Sequence, residues 1–247
     1  MPVNFLSPAQ RDNYGRYPDD LSQDIIANHF FLDDQDREWI ATKRGDFSRL
    51  GYALQLVTVR FLGTFIINIT DVPSSVIERI ASQINIINYE SCLSAYQGSE
   101  QRWRHTAEIR SRNGYREFTE KGNRFRLGRR LCALCWTGTD RPGALFNYAL
   151  SWLCTNKILL PGVTVLERFI AEIRSRMESR LWKMLIKDLT SDQQERLNQL
   201  LVTNNDEHQS LLDKLRKGPV RVSTPSLVKS LQRVEMARDI SVKLSFS

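Results

Sequence analysis

The chain has 247 residues, 41% of them hydrophobic, and carries a formal net charge of +7 at pH 7. Its mean hydropathy is -0.38, and no apolar run approaches the roughly 20 residues that a membrane-spanning helix needs. The first residues lack the basic and apolar regions of a signal peptide, so a cytoplasmic protein is expected. No P-loop, dinucleotide-binding glycine motif or HExxH motif is present, which gives little support to a free-standing enzyme.

The first part of the chain is predicted to be helical. Ser7-Pro8 is a typical helix start, with serine as the N-cap and proline at the first position. A second helix is predicted over 22–30 and a third over 33–44, with Gly45 in the left-handed position after its end. Asp46 is predicted to cap the next helix. Such a short joint is typical of helix-turn-helix motifs, although many other helical proteins contain one.

The stretch from Arg44 to Phe65 is unusually apolar. On a helical wheel one face is wholly apolar and the opposite face is only partly polar, which favours a central core helix. Gly51 and Gly63 lower helix stability and indicate the close approach of a neighbouring element. Alternatively, the N-terminal turn of this helix touches a phosphate backbone, because helix N-termini and basic side chains both favour phosphate. The basic residues of that turn are Lys43, Arg44 and Arg49.

Helical patterns continue to about residue 160. Val76, Ile77, Ile80 and Ile84 form an apolar stripe. Further helices are predicted over 89–96, from 99 to Asn113-Gly114, over 123–137 and over 140–157. In the second of these, one packed face is predicted from Trp103, Ala107 and Ile109.

The four cysteines are expected to stay reduced. Cys132 and Cys135 have the spacing of a zinc half-site, but no second pair of cysteine or histidine ligands follows, and the three histidines stand far apart. A structural zinc ion usually needs four ligands, so core packing is favoured over metal binding. Neither a metal nor another cofactor is expected.

The last part of the chain is predicted to open with a capping box, Thr164 to Glu167. A long amphipathic helix follows, with an apolar stripe that ends at Leu181 and three arginines outside it, namely Arg174, Arg176 and Arg180. A helix over 190–201, a polar linker over 203–209, a basic joint over 214–221 and a final helix from Thr224-Pro225 complete the pattern. The predicted fold class is therefore all-α.

Positive charge is concentrated in residues 102–130, which hold ten basic and three acidic residues. Nucleic-acid binding surfaces have such local basic clusters; the alternative is a solvated basic face with scattered ion pairs. Gln55 and Asn123 are candidate readers of adenine, and Arg49 and Arg126 are candidate readers of guanine. The predicted basic DNA surface comprises Arg102, Arg104, Arg110, Arg112, Arg116, Lys121, Arg124, Arg126, Arg129 and Arg130.

Four blocks of the sequence resemble a known family. They are "MPVNFLSPAQRDNYGRYP", "FLDDQDREWIATKRGDFSRLGYALQLVTVRFLGTF", "DVPSSVIERIASQI" and "LLPGVTVLERFIAEIRSR", and together they resemble the N-terminal region of Tn-three family transposases. The resemblance implies tandem helix-turn-helix-like domains that recognise the terminal inverted repeats of a transposon. It also implies a magnesium-dependent RNase H-like catalytic domain with an Asp-Asp-Glu triad far downstream, so no catalytic residue is assigned and this chain alone is not expected to be an enzyme.

The sequence departs from the family pattern at 66–68 and 84–86, which are expected to affect the recognised DNA rather than the fold. The predicted domains are a first DNA-binding module (1–70), a second, basic module (71–160) and a helical extension (161–247). The predicted function is sequence-specific binding of double-stranded DNA at inverted repeats, with a homodimer expected in the full-length context. The alternative is a helical protein-interaction or regulatory module with incidental DNA contact.

Overall fold

A computed structural model describes residues 5–120, 122–138, 141–187, 189–203, 210–216 and 224–243. Within these ranges the regular elements are thirteen α-helices and a short 3-10 turn (Ile69–Asp71), with no strand, so the predicted all-α class is confirmed. The helices are α1 (Pro8–Asp12), α2 (Gln23–His29), α3 (Asp34–Ala41), α4 (Asp46–Leu62), α5 (Ser74–Gln83), α6 (Tyr89–Gln97), α7 (Gln101–Asn113), α8 (Asn123–Trp136), α9 (Pro142–Thr155), α10 (Val163–Lys187), α11 (Ser191–Gln199), α12 (Leu211–Arg216) and α13 (Thr224–Lys243).

The chain divides into two compact units, Met1–Glu178 and Ser179–Ser247. The first unit contains two hydrophobic cores, and the first of these takes residues from both sides of the predicted boundary at residue 70. This division into compact units does not test the predicted ranges 1–70, 71–160 and 161–247, which are assignments of function. The separate roles of 1–70 and 71–160 in DNA binding stay predictions.

Helix α4 lies at the centre of the first core, as the apolar wheel predicts. Every residue from Leu50 to Val59 is buried, and α3, α5, α6 and α7 all contact this helix. The predicted helix joint is wrong in detail: α3 ends at Ala41, and Gly45 is the N-cap of α4 with φ 80° and ψ 148°. Asp46 is consequently the first helical residue rather than the cap.

A close contact between α4 and α6 occurs at Gly51, as the glycine in this helix predicts. A Cβ atom at Gly51 would lie 2.2 Å from a ring carbon of Tyr96, so only glycine leaves room for the aromatic ring. The Tyr96 hydroxyl in turn lies 3.1 Å from Nδ1 of His105. This contact chain links α4, α6 and α7.

The packed face of α7 differs from the prediction. His105 and Ile109 are buried, whereas Trp103 and Ala107 are exposed. The prediction weighed apolar character alone, while the position of α7 also depends on polar contacts. One of these is the hydrogen bond of 2.6 Å that the Ser48 hydroxyl donates to the Gln101 side-chain carbonyl.

The second core of the first unit contains residues of α8, α9 and α10 together with the N-terminal segment. Glu167 is buried and accepts hydrogen bonds from the Leu6 backbone N–H at 3.4 Å and from the Arg11 guanidinium at 2.5 Å. The predicted capping box is therefore wrong. Helix α10 begins at Val163, and the Glu167 carboxylate holds the N-terminal segment instead of a helix end.

Backbone hydrogen bonds join the two cores of the first unit. The Arg116 N–H donates to the Lys157 carbonyl at 3.0 Å, and the Leu159 N–H donates to the Arg116 carbonyl at 2.9 Å. Ile158 belongs to the second core and its neighbour Leu159 to the first. The segment after α9 therefore contributes residues to both hydrophobic cores.

In the second unit, α11 has the predicted N-terminus, with a capping box formed by Thr190 and Gln193. Helix α13 begins at Thr224, as predicted. Most of the polar linker over 203–209 lies outside the described residues, as does the part of the basic joint after Arg216. None of the described helices is both long and apolar enough to span a membrane.

Replacing Gly51 by alanine is expected to lower the free energy of unfolding by about 1–3 kcal/mol, because the added methyl group overpacks against the Tyr96 ring. Urea unfolding followed by circular dichroism measures this change. Gly143→Ala in α9 is the matched control, because nothing lies within 4 Å of its added methyl group and alanine is the better helix former by up to about 1 kcal/mol. Unchanged stability of Gly51→Ala would contradict the close packing of α4 against α6.

Candidate nucleic-acid interface

The loop before α8 fixes where this helix begins. Helix α7 ends at Asn113, and its C-cap Gly114 has a left-handed conformation with φ 70°. Gly122 precedes α8 with φ 93°, a value that non-glycine residues rarely adopt. The buried Asn123 side chain donates a hydrogen bond of 2.8 Å to the Glu117 carbonyl. The start of α8 is thereby attached to the loop that leads into it.

Helix α8 has one buried and one exposed side. Leu127, Gly128 and Leu131 are buried, and Cys132 and Cys135 pack half-buried against the second core, as the core-packing prediction has it. Among the described residues, no group of three or more histidine, cysteine, aspartate or glutamate side chains could hold a metal ion.

The exposed side of α8 combines arginine with aromatic residues at helical spacing. Phe125 is 68% exposed and Trp136 is 54% exposed, so this side of the helix presents two aromatic rings to solvent beside its arginines. We call this side the α8 outer face. Its exposed arginine and aromatic residues are Phe125, Arg126, Arg129, Arg130 and Trp136.

Carboxylates compensate three of the predicted DNA-binding arginines. Arg110 pairs with Glu117 at 2.6 Å, and Arg112 pairs with Glu108 at 3.0 Å. A third pair joins Arg124 to Glu172 at 3.3 Å. All three arginines remain partly exposed, but the neighbouring negative charges reduce their attraction for phosphate.

Two further arginines bond to backbone carbonyls. Arg116 donates to the Asn156 carbonyl at 3.2 Å, and Arg102 donates to the Ile67 carbonyl. Both side chains are half-buried. They help to hold loops in place, although each keeps its positive charge.

The remaining arginines of the predicted surface are less constrained. Three of them are exposed, namely Arg104, Arg129 and Arg130. Their side chains make no hydrogen bond or ion pair with the rest of the described chain. Arg126 is also exposed, and its described partner is the neutral amide of Asn123, at 3.0 Å. Lys121 lies outside the described residues. Among the described arginines of 102–130 that are exposed and lack a carboxylate partner, Arg104 lies on α7 and the other three lie on the α8 outer face.

The basic turn before α4 is largely engaged within the protein. The Lys43 ammonium lies 2.6 Å from Glu108 and 4.5 Å from the centre of the Tyr52 ring. Arg49 donates to the Lys43 carbonyl at 3.3 Å and lies 3.6 Å from Asp46. Arg44 is the exposed member of the turn, and no hydrogen bond or ion pair holds it to the described chain.

The structure corrects two of the predicted base readers. Gln55 lies within the first core, where its amide donates to the Ile66 carbonyl at 3.1 Å and accepts from the Ile66 N–H at 3.0 Å. Asn123 is 1% exposed and bonds to Glu117 and Arg126. Neither amide is free to reach a base edge in this conformation.

Phe125 and Trp136 are absent from the predicted surface. The predicted surface was chosen from basic and amide side chains, and it left out the aromatic residues of a helix whose buried stripe includes Leu127 and Leu131. Their positions on the opposite side of the wheel from that stripe are the signal that could have identified them.

A protein family described as "Domain of unknown function (DUF4158)" matches residues 5–173. Among curated proteins, the chain is 42% identical over 249 residues to the transposase for transposon gamma-delta of Escherichia coli (strain K12). That match covers 100% of this chain and 25% of the relative.

Two more distant relatives cover similar shares of this chain and of their own length. The transposase for transposon Tn1546 of Enterococcus faecium is 30% identical over 97% of this chain and 24% of the relative. The transposase for transposon Tn21 of Escherichia coli is 25% identical over 94% of this chain and 23% of the relative. The predicted resemblance is confirmed, and the chain spans about a quarter of the length of the curated relatives it matches.

The buried His105 on α7 is expected to make the stability of the protein depend on pH. The same helix carries Arg104, Arg110 and Arg112. Burial lowers the pKa of His105 from 6.5 to about 4, and the positive charge of Lys43 adds to this effect. Between these two pH values the unfolded chain binds more protons at this site than the folded chain does. The free energy of unfolding should therefore fall as pH falls from about 6.5 to about 4, by on the order of 3 kcal/mol from this residue.

Urea unfolding of the His105→Gln variant at several pH values measures this contribution. The variant should lose stability less steeply than the natural chain within that window, since glutamine does not titrate. Well above pH 6.5 the two slopes should coincide, because His105 is then neutral in both the folded and the unfolded chain. Parallel curves for the His105 variant and the natural chain would show that His105 does not titrate in this way.

Proposed function

This chain belongs to the DUF4158 family, and from its similarity to transposases along its whole length we propose that it binds double-stranded DNA during DNA transposition. The DNA is a specific sequence at the ends of a transposon, its terminal inverted repeats. The chain contributes recognition of the DNA, and the strand chemistry belongs to other parts of a longer transposase. The relatives' roughly fourfold greater length is compatible with this division.

The α8 outer face is the observation that carries the proposal. Arg126, Arg129 and Arg130 are presented within two turns of one rigid helix, without carboxylate partners among the described residues. Uncompensated guanidinium groups attract phosphate strongly, because DNA releases condensed counterions when a cation replaces them. A helix of 14 residues is about 21 Å long and narrow enough to enter the major groove.

Phosphate and base contacts are divided between different side chains on this face. Arg129 and Arg130 are suited to the phosphate backbone, where charge counts more than orientation. The exposed ring of Phe125 is suited to an apolar contact, such as the methyl group of thymine. Arg104 on α7 and Arg44 before α4 are further candidates for phosphate contacts, since both are exposed and without ion pairs.

The second unit supports a second candidate function, a helical protein-interaction surface. Near the end of α10, Leu181, Trp182 and Leu185 are 46%, 57% and 52% exposed. In α13, Leu227 and Leu231 are 63% and 57% exposed. Large apolar side chains exposed in such numbers are typical of interaction sites, and association of two copies would bring two DNA-binding surfaces together.

Triple replacement of Arg126, Arg129 and Arg130 by alanine tests the proposed DNA surface. The variant should bind duplex DNA more weakly, and the slope of log affinity against log salt concentration should fall by about two to three. Fluorescence anisotropy titrations at several salt concentrations measure both quantities.

A matched variant removes three exposed arginines elsewhere, Arg16, Arg79 and Arg168. Its net charge equals that of the first variant, so the change in net charge alone has the same effect on both. If the two variants lose affinity and salt dependence equally, DNA binding is not centred on α8. Equal affinity of the natural chain for scrambled and inverted-repeat duplexes would contradict the sequence-specific part of the proposal.

Light scattering of the DNA-free chain tests the interaction surface. A dimer that becomes monomeric when Trp182 and Leu185 are replaced by serine is the expected result. Leu201→Ser, at another exposed position of the second unit, should leave the dimer intact. A chain that stays monomeric at high concentration would contradict self-association through this surface.

A further inference from the structure

We propose that Arg126 reads a guanine base and that Asn123 is the residue that positions its guanidinium for this contact. The inference rests on the proposed function, because it assigns a specific role within the α8 outer face. It also gives Asn123 a part in recognition without direct contact with DNA.

Asn123 is anchored at both ends of its side-chain amide. The side chain is 1% exposed, and its amide group donates to the Glu117 carbonyl at 2.8 Å. This bond determines the direction of the amide oxygen, which accepts from the Arg126 guanidinium at 3.0 Å. A buried and anchored amide thus restrains an exposed arginine one turn along the helix.

A neutral hydrogen-bond partner combined with exposure to solvent distinguishes Arg126 from the other described arginines of 102–130. Arg102 and Arg116 also bond to neutral carbonyls, but both are half-buried. Arg110, Arg112 and Arg124 are held by carboxylates, which compensate their charge. Arg129 and Arg130 have no such restraint within the described chain. Arg126 combines full positive charge with a preferred orientation, and a preorganised side chain loses less conformational entropy when it binds.

The hydrogen-bonding capacity of Arg126 fits guanine. An arginine has five N–H donors, and one of them is directed to Asn123. Guanine presents two acceptors in the major groove, O6 and N7, which arginine contacts with a pair of parallel donors. The bond to Asn123 therefore leaves enough donors for the bidentate contact.

The place of Arg126 in α8 also favours base contact. It lies in the first turn, and residues near the N-terminus of a recognition helix are the ones that contact base edges in several DNA-binding motifs. The space next to Gly122, just before the helix, is open, because no atom of the described chain lies within 4 Å of the position where a Cβ would stand. No neighbouring side chain among the described residues therefore covers the helix start at this point. The adjacent Phe125 is 68% exposed, so an apolar contact can accompany the polar one.

Selection of binding sites from a randomised duplex pool by the full 247-residue chain tests the inference. The natural chain should enrich a motif that contains a guanine whose replacement weakens binding by about 5- to 150-fold, as expected for one bidentate contact. Arg126→Ala should enrich the same motif without a preference at that position, whereas Arg129→Ala, which loses the same charge, should keep the preference. Asn123→Ala should lose the same preference, which loss of folding alone would not produce.

A chemical probe separates base contact from a structural effect. Replacing the selected guanine with 7-deazaguanine removes the N7 acceptor, which should weaken binding of the natural chain and leave binding of Arg126→Ala unchanged. Arg129→Ala is the charge-matched control and should keep both the motif and the sensitivity to 7-deazaguanine. Because Arg126 and Arg129 are exposed, both alanine variants are expected to fold, and circular dichroism melts check this for each protein.

The outcomes distinguish the inference from the proposed function. If the natural chain enriches a motif and Arg126→Ala enriches the same motif with an unchanged guanine preference, Arg126 is not the reader and the inference is overturned while the proposed function stands. If Arg126→Ala loses the preference but a folded Asn123→Ala keeps it, the positioning role is overturned. If the natural chain enriches no motif, sequence-specific binding fails and the inference fails with it.

Discussion

The contact between Gly51 and the Tyr96 ring determines how the helices of the first core are arranged. It lets α6 approach the middle of α4 so closely that no side chain fits between them. The Tyr96 hydroxyl then meets His105, which sets the rotation of α7 about its axis. With His105 and Ile109 turned inward, Arg104 and Arg110 must face outward. Packing at one glycine thus affects the side chains that α7 presents to a partner.

The protein uses its basic residues in two different ways. Lys43 and Arg112 meet at the carboxylate of Glu108, and this cluster links the turn before α4 to α7. Paired residues of this kind hold elements together at the expense of their attraction for an external anion. The α8 outer face is different, because its arginines lack carboxylate partners within the described chain. The net charge of the chain does not distinguish the basic residues paired with carboxylates from the arginines of the α8 outer face.

Much of the fold could be predicted from the sequence because its determinants are local. The apolar wheel of 44–65 identified a buried central helix, and Ser7-Pro8 and Thr224-Pro225 gave the starts of α1 and α13. The errors involve partners distant in sequence. Gln55 bonds to Ile66 instead of a base, and Glu167 pairs with Arg11, 156 residues away, instead of capping α10.

The candidate site was predictable as a region but not residue by residue. The local excess of positive charge in 102–130 is a property of composition and needs no structure. Which arginines are compensated depends on the carboxylates that folding brings near, such as Glu172 beside Arg124. Likewise, the amide of Asn123 looks like a base reader in the sequence, and only its burial and its bond to Arg126 indicate a positioning role.

Arginine-specific modification with phenylglyoxal, read by mass spectrometry with and without duplex DNA, tests the central claim most directly. If the α8 outer face binds DNA, the duplex should slow modification of Arg126, Arg129 and Arg130, while the exposed Arg16 and Arg79 react at unchanged rates. Equal rates on α8 in the presence and absence of bound DNA would contradict the assignment of the α8 outer face as the DNA-binding surface.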